Sequence, residues 1–191
     1  MKKIDGWESI QAPRDFEPLP LGAYVMRIMG AAEKEFSGFS MLEISLDVAE
    51  GDFKDFYATD YRAQPEATKK WHGVLRLFVP TGDGSDKDKW SAARLKGAFE
   101  AIEASNPGYK WDWREESLKG KLVGCLYRNE EWRRADGTTS WSARPFRLIE
   151  AAKVRDGSFK LPKDKPLSGG SRANSKNVDV IPDDLPDDLP F

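Results

Sequence analysis

In SMLEISLDVAEG (residues 40–51), Leu42, Ile44, Leu46 and Val48 alternate with Met41, Glu43, Ser45 and Asp47. Side chains on a strand point to opposite faces with a period of two, so this stretch fits a strand with one face in a core and one in water. A helix would scatter the same aliphatic residues around its circumference. The period recurs in WHGVLRLFVP (residues 71–80), where Leu75, Leu77 and Val79 face one way and Arg76 and Phe78 the other. Parallel strands are covered on both faces, so half-buried alternation of this kind points to antiparallel pairing.

The remaining segments extend this reading. GAYVMRIMGAAEKE (residues 22–35) begins as a strand over its bulky residues from Tyr24 to Met29. Residues 51–71 are mixed and aromatic and read as a loop with a short helix. KWSAARLKGAFEAIEASNPG (residues 89–108) carries Leu95, Ala98, Phe99 and Ile102 at helical spacing, and its Asn-Pro-Gly stops the helix. LKGKLVGCLYRNEEW (residues 118–132) and TTSWSARPFRLIEA (residues 138–151) read as two strands joined at Asp136-Gly137, a dipeptide suited to hairpin turns. One helix between the third and fourth of five strands is the order of an OB-fold, although other small α+β sheets share it. The expected fold is mainly β with one or two helices: an OB-fold-like five-stranded barrel plus a disordered acidic C-terminal tail. The expected divisions are an irregular N-terminal segment (1–20), an OB-like domain (21–160), a flexible linker (161–181) and an acidic tip (182–191).

Several function classes fall away. The 191 residues suit one domain plus a tail. The single cysteine, Cys125, excludes an intrachain disulfide and a cysteine-based zinc site, and fits a reducing intracellular setting. The single histidine, His72, excludes a two-histidine metal site and argues against a Ser-His-Asp triad. TGDGSDK lacks the Lys-Ser/Thr ending of a phosphate loop. Asp52, Asp55 and Asp60 read as solvated loop carboxylates in preference to a divalent-ion site. No enzymatic activity, metal or cofactor is expected. MKKIDGWESI has no apolar run of the signal-peptide kind, and no stretch approaches a membrane span, so a cytoplasmic protein with no membrane partner is expected.

Charge and aromatic content are more informative. Net charge is −2, but it is uneven. Between residues 121 and 149, Lys121, Arg128, Arg133, Arg134, Arg144 and Arg147 stand against Glu130, Glu131 and Asp136. From residue 168 onward, Arg172 and Lys176 face five Asp. Seven tryptophans are many for this length, and several adjoin cations. Aromatic rings that stack on bases, beside Arg and Lys that follow phosphates, are how single-stranded nucleic acid is held without sequence preference. The candidates are Trp71, Arg76 and Phe78 on the third strand, and Tyr127, Arg128, Trp132, Arg133 and Arg134 on and beyond the fourth. Trp141, Arg144, Phe146 and Arg147 on the fifth complete the set. Each ring has a competing assignment as core, and period two on the fifth strand does not settle which face is wet. Residues 132–134 carry the strongest expectation of exposure, since a bulky ring and two cations beside a turn cannot all be buried. Trp111 and Trp113, with acidic neighbours, read as packing.

The chain ends in PDDLPDDLPF. Asp and Pro with single Leu residues cannot build a core, so this tail is expected to be disordered. Asp183, Asp184, Asp187, Asp188, Leu189, Pro190 and Phe191 are the candidate partner-docking residues: the ring for an apolar pocket, the carboxylates for a basic rim. The last five closely resemble the C-terminal tip of bacterial single-stranded DNA-binding proteins. That resemblance implies docking on host replication, repair and recombination enzymes, and competition with DNA for the binding groove. LDVAEGDFKDFY, GVLRLFVP, NPGYKWDW and LKGKLVGCLYRNEEW resemble a family of phage and mobile-element proteins from replication or recombination regions, for which single-stranded DNA binding is the implied role. OB-type binders often assemble, so a homo-oligomer is compatible with this reading. The rival reading is an adaptor that mimics the host tip without binding DNA itself.

Overall fold

A computed structural model describes residues 16–65 and 69–167. Five strands form one antiparallel sheet: β1 (Ala23–Phe36), β2 (Phe39–Val48), β3 (Val74–Val79), β4 (Leu122–Arg133) and β5 (Thr139–Ile149). Their order across the sheet is β3-β2-β1-β4-β5. Three helices accompany them: α1 (Phe56–Ala63), α2 (Asp86–Ser105) and α3 (Ala151–Arg155). The alternation on β2 places Leu42, Ile44, Leu46 and Val48 in the core, and Leu75 and Leu77 of β3 join them. α2 lays Ala98, Phe99 and Ile102 over the same core, with Leu95 packed at its margin.

α2 begins three residues before the expected start. Ser85 caps it by accepting from the Asp88 N–H at 3.1 Å, and Asp86 and Asp88 suit the positive end of the helix. At the other end, the Asn106 amide donates to the Ile102 and Leu122 carbonyls and accepts from the Leu122 N–H. One side chain thus joins the helix stop to the first residue of β4. Ahead of β3 the chain passes close to β2. A Cβ at Gly73 would lie 2.4 Å from the Leu46 carbonyl oxygen and 2.5 Å from the Tyr57 ring, so only glycine fits there.

Asp47 departs from the simple alternation. It sits on the polar side of β2 but is only 3% exposed, because α1 packs over it. Its carboxylate accepts from the N–H groups of Val48, Tyr57 and Ala58, and so caps α1 from a neighbouring strand. Burial raises its pKa, and the three N–H donors oppose that shift.

The barrel expected from the element order is not closed. β3 and β5 are both sheet edges, with no pairing between them. Pro145 of β5 has no N–H to donate across such a junction. The outward carbonyl of Phe146 is instead taken by the Arg94 guanidinium of α2, at 2.6 Å.

Leu19 and Phe16, in the segment expected to be irregular, pack into the core or against it. After α3 the chain returns to the sheet. The Lys165 N–H donates to the Asn129 carbonyl at 2.8 Å and its carbonyl accepts from Glu131 at 2.9 Å, in a parallel bridge to β4. The acidic tip, with all seven candidate docking residues, lies outside the described residues.

Cys125 is fully buried on β4 and burial pushes its thiol up to about 12. Only the thiolate is nucleophilic. The folded protein should therefore resist alkylation by iodoacetamide at neutral pH, and the same protein in denaturant should react completely. Rapid labelling of the native form would show that this strand opens readily.

Candidate nucleic-acid interface

The open junction between β3 and β5 forms a groove with a cavity of about 360 Å³. β3 contributes Val74, Leu75 and Arg76 to it, and β5 contributes residues 142–146. Trp71 and His72 close one end, with the Phe16 ring 4.2 Å from the His72 ring. The pairing register explains why the groove is lined by backbone as well as side chains. Leu46 donates to the Gly73 carbonyl, so Gly73, Leu75 and Leu77 bond towards β2. In an antiparallel ladder the intervening Val74 and Arg76 then turn their backbone groups to the open edge.

Cations gather along this groove. Lys70, Arg76, Arg94 and Arg144 line the cavity, with Glu130 as its acidic member. Glu130 already accepts from Arg128 at 2.6 Å. Arg76 pairs with Glu43 at 2.7 Å, and Lys34 shares that carboxylate. The two cations, Lys34 foremost, hold the Glu43 carboxyl below its usual range. Phe146 is the aromatic centre of the β5 wall. The Arg128 guanidinium lies 4.0 Å from its ring centroid, Arg94 5.0 Å and Arg147 5.6 Å. Guanidinium groups at these distances are attracted to the ring face and are held in place.

The sequence-predicted residues fall into four groups. Trp71, Arg76 and Arg144 come together in the groove, and Arg147 lies further along the β5 edge. The Trp71 indole donates to the Leu46 carbonyl at 3.1 Å, so that ring is fixed. Trp132, Arg133, Arg134 and Trp141 form an arm where β4 and β5 run past the rest of the sheet. Trp132 is 39% exposed and Trp141 47%. Trp132 pairs with Ser140 and Trp141 with Glu131, so the two indoles occupy opposite faces of the hairpin. Arg134 lies 6.0 Å from the Trp132 ring and donates to the Ser140 hydroxyl. Phe78 sits away from the groove, its ring on Phe39, with Lys87 5.9 Å away.

Tyr127 and Arg128 are corrections. Tyr127 is 0% exposed and shares a 2.9 Å hydrogen bond with the Tyr57 hydroxyl, so its ring is core and not a stacking surface. Arg128 is buried between Glu130 and Phe146 and is not presented to a phosphate. Trp111 packs as expected, stacked on Phe99 at 4.2 Å. Trp113 does not: its backbone is left-handed, with φ 63°, and its ring is 81% exposed.

Sequence reasoning missed Arg94 and Trp90 of α2, and Phe36 and Phe39 of the β1–β2 hairpin. Phe36 and Phe39 stack at 5.2 Å beside Phe78. Their signal was a pair of aromatics flanking Ser37-Gly38, and Gly38 has the positive φ that such a turn needs. Trp90, Arg94 and Gly97 stand at i, i+4, i+7, a helical face beside the aliphatic stripe.

Of the acidic residues expected in a loop, Asp60 lies instead on α1, where it accepts from Gln64 and pairs with His72, and Asp55 precedes that helix with a left-handed backbone. Among the described residues no group of three or more His, Cys, Asp or Glu side chains is gathered for a metal ion, and no helix is long and apolar enough to cross a membrane. No protein-family model matches the chain, and no curated protein matches it in sequence.

Proposed function

We propose that this protein binds single-stranded DNA without sequence preference, on an OB-like sheet, in the replication or recombination of a phage or mobile element. Its acidic Pro-Phe tip recruits host enzymes. One observation carries the reading: the groove between the unpaired β3 and β5 edges gathers Lys70, Arg76, Arg94 and Arg144 beside the rings of Trp71 and Phe146. Stacking contributes about 1–3 kcal/mol per base, and cations in register with the backbone add a salt-dependent share. The OB-fold is itself a partly open barrel, so a sheet ordered β3-β2-β1-β4-β5 with an open seam is compatible with it. The test is a titration with oligo-dT and with a duplex of equal length, read by tryptophan fluorescence at two salt concentrations. Quenching by oligo-dT alone, lost at high salt, is expected. No binding at low salt would overturn the reading and favour the adaptor.

The tail enters by its point of departure. Leu167 donates to the Glu131 carboxylate at 3.0 Å, beside the arm that carries Trp132, Arg133 and Arg134. The 24 residues beyond Leu167 carry five Asp against Arg172 and Lys176, a charge complementary to the cations of the groove. The tail then competes with DNA for the cations. A chain ending at Asn177 should bind oligo-dT more tightly than the full chain at low salt, by about threefold to tenfold, with the gap closing as salt rises. Equal affinities at low salt would remove the tail from the groove.

A further inference from the structure

Beyond Arg94 the groove opens into a second cavity of about 320 Å³, between α2 and the β5 edge. Its floor is apolar, from Leu77 and Leu148, both buried. Trp90 forms one wall, half-buried, with the Arg94 guanidinium 5.2 Å from its ring. Arg147, exposed, stands at the rim. The helix presents Gly97 to this space, and a Cβ built there meets no atom within 4 Å. Glycine is the least favourable helix residue after proline, and here it relieves no clash. What it does is leave the cavity open beside the indole.

We propose that this cavity holds one nucleobase of the bound strand, stacked on Trp90, with the adjoining phosphate on Arg147. The inference rests on the single-strand reading above and adds a site to it. A base is flat and apolar on its faces, which suits an indole wall and a leucine floor. The side-chain hydrogen-bonding groups of the lining are all donors, namely the guanidinium of Arg94, already engaged with the Phe146 carbonyl, that of Arg147 at the rim and the Trp90 indole N–H, and every base carries an acceptor to meet them. The pocket therefore accepts any of the four bases, which is the physical source of sequence tolerance. Arg94 spans the groove between this cavity and the first, so a strand entering beside Arg144 meets the pocket next.

The test fills the pocket without disturbing the helix. Gly97→Ala should raise the melting temperature by about 2–4 °C, since alanine is the better helix former and meets nothing. Gly97→Leu should keep the fold and weaken oligo-dT binding by about tenfold to a hundredfold. Photocrosslinking of an iodouracil-containing oligo-dT should place the adduct on Trp90. Wild-type affinity in Gly97→Leu, or crosslinks that bypass Trp90, would overturn the pocket while leaving single-strand binding intact. Failure of the wild-type chain to bind oligo-dT at all would overturn both.

Discussion

Replacing Arg76, Arg144 and Arg147 together with glutamine should lower affinity for oligo-dT by about a hundredfold or more at low salt. All three are exposed side chains on the two groove edges. Each phosphate contact on a single strand contributes about 0.7 to the slope of log affinity against log salt, so losing three should flatten it by about two. The fold should be untouched. Surface substitutions away from caps and cores stay within about 0.5 kcal/mol. Glu43 loses Arg76 but keeps Lys34. An unchanged melting temperature beside an unchanged salt slope would show that DNA, if bound, does not follow these edges. Trp132→Ala tests the arm separately: a loss of about fivefold or more places a base on that indole, and no loss confines the strand to the groove.

Tyr127→Ala should cost about 3–5 kcal/mol of stability, through a large cavity in a core that nothing else can fill. Tyr127 is fully buried on β4, edge-on to Tyr24 at 5.2 Å and bonded to the Tyr57 hydroxyl. Tyr127→Phe leaves the Tyr57 hydroxyl buried without this partner and should cost about 1–3 kcal/mol. Changing both tyrosines to phenylalanine removes the whole hydroxyl pair and should recover part of that loss. Burial raises both phenols above their ordinary value of 10.0. The stability they contribute is therefore fully present below pH 10 and is lost as pH rises towards the folded values. Denaturant melts of the three variants, and alkaline unfolding followed by tyrosinate absorbance, check both points. DNA affinity of Tyr127→Phe should match wild type.

Much of the fold was legible because local pattern and global packing agree. The period of two on β2 and β3 named the core residues, since a strand has only two faces and one must be apolar. Asp136-Gly137 marked the β4–β5 turn, and Gly137 has the positive φ of 85° that such a turn uses. Leu95, Ala98, Phe99 and Ile102 marked the buried side of α2.

Where the reading failed, a long-range contact or a bulge had changed the rules. Between Leu126–Arg147 and Tyr127–Pro145 the ladder gains Phe146 on β5. One extra residue reverses inward and outward for everything beyond it. Leu148 therefore faces the core with Cys125, while Pro145 shares the face of Tyr127 on the other side of the bulge. Periodicity on β5 was ambiguous because two periods are spliced there. Met29 does the same on β1. Asp47 was assigned to water because nothing local shows that α1 would settle over it and need a cap. Trp111 and Trp113 look alike in sequence, and a single left-handed residue sends one inward and the other out.

The sequence by itself determined the strands, the long helix, the hairpin turn and the polarity of the central faces, because these follow from the spacing of neighbouring residues. It also marked Trp71, Arg76, Arg144 and Arg147 by chemistry alone. Only the tertiary structure decided that β3 and β5 stay apart, that Arg94 reaches from α2 to the Phe146 carbonyl on β5, and that Tyr127 and Arg128 lie inside. Those outcomes depend on which distant surfaces meet and how tightly they pack, and no local pattern encodes the distance between two edges that are separated by the whole width of a sheet.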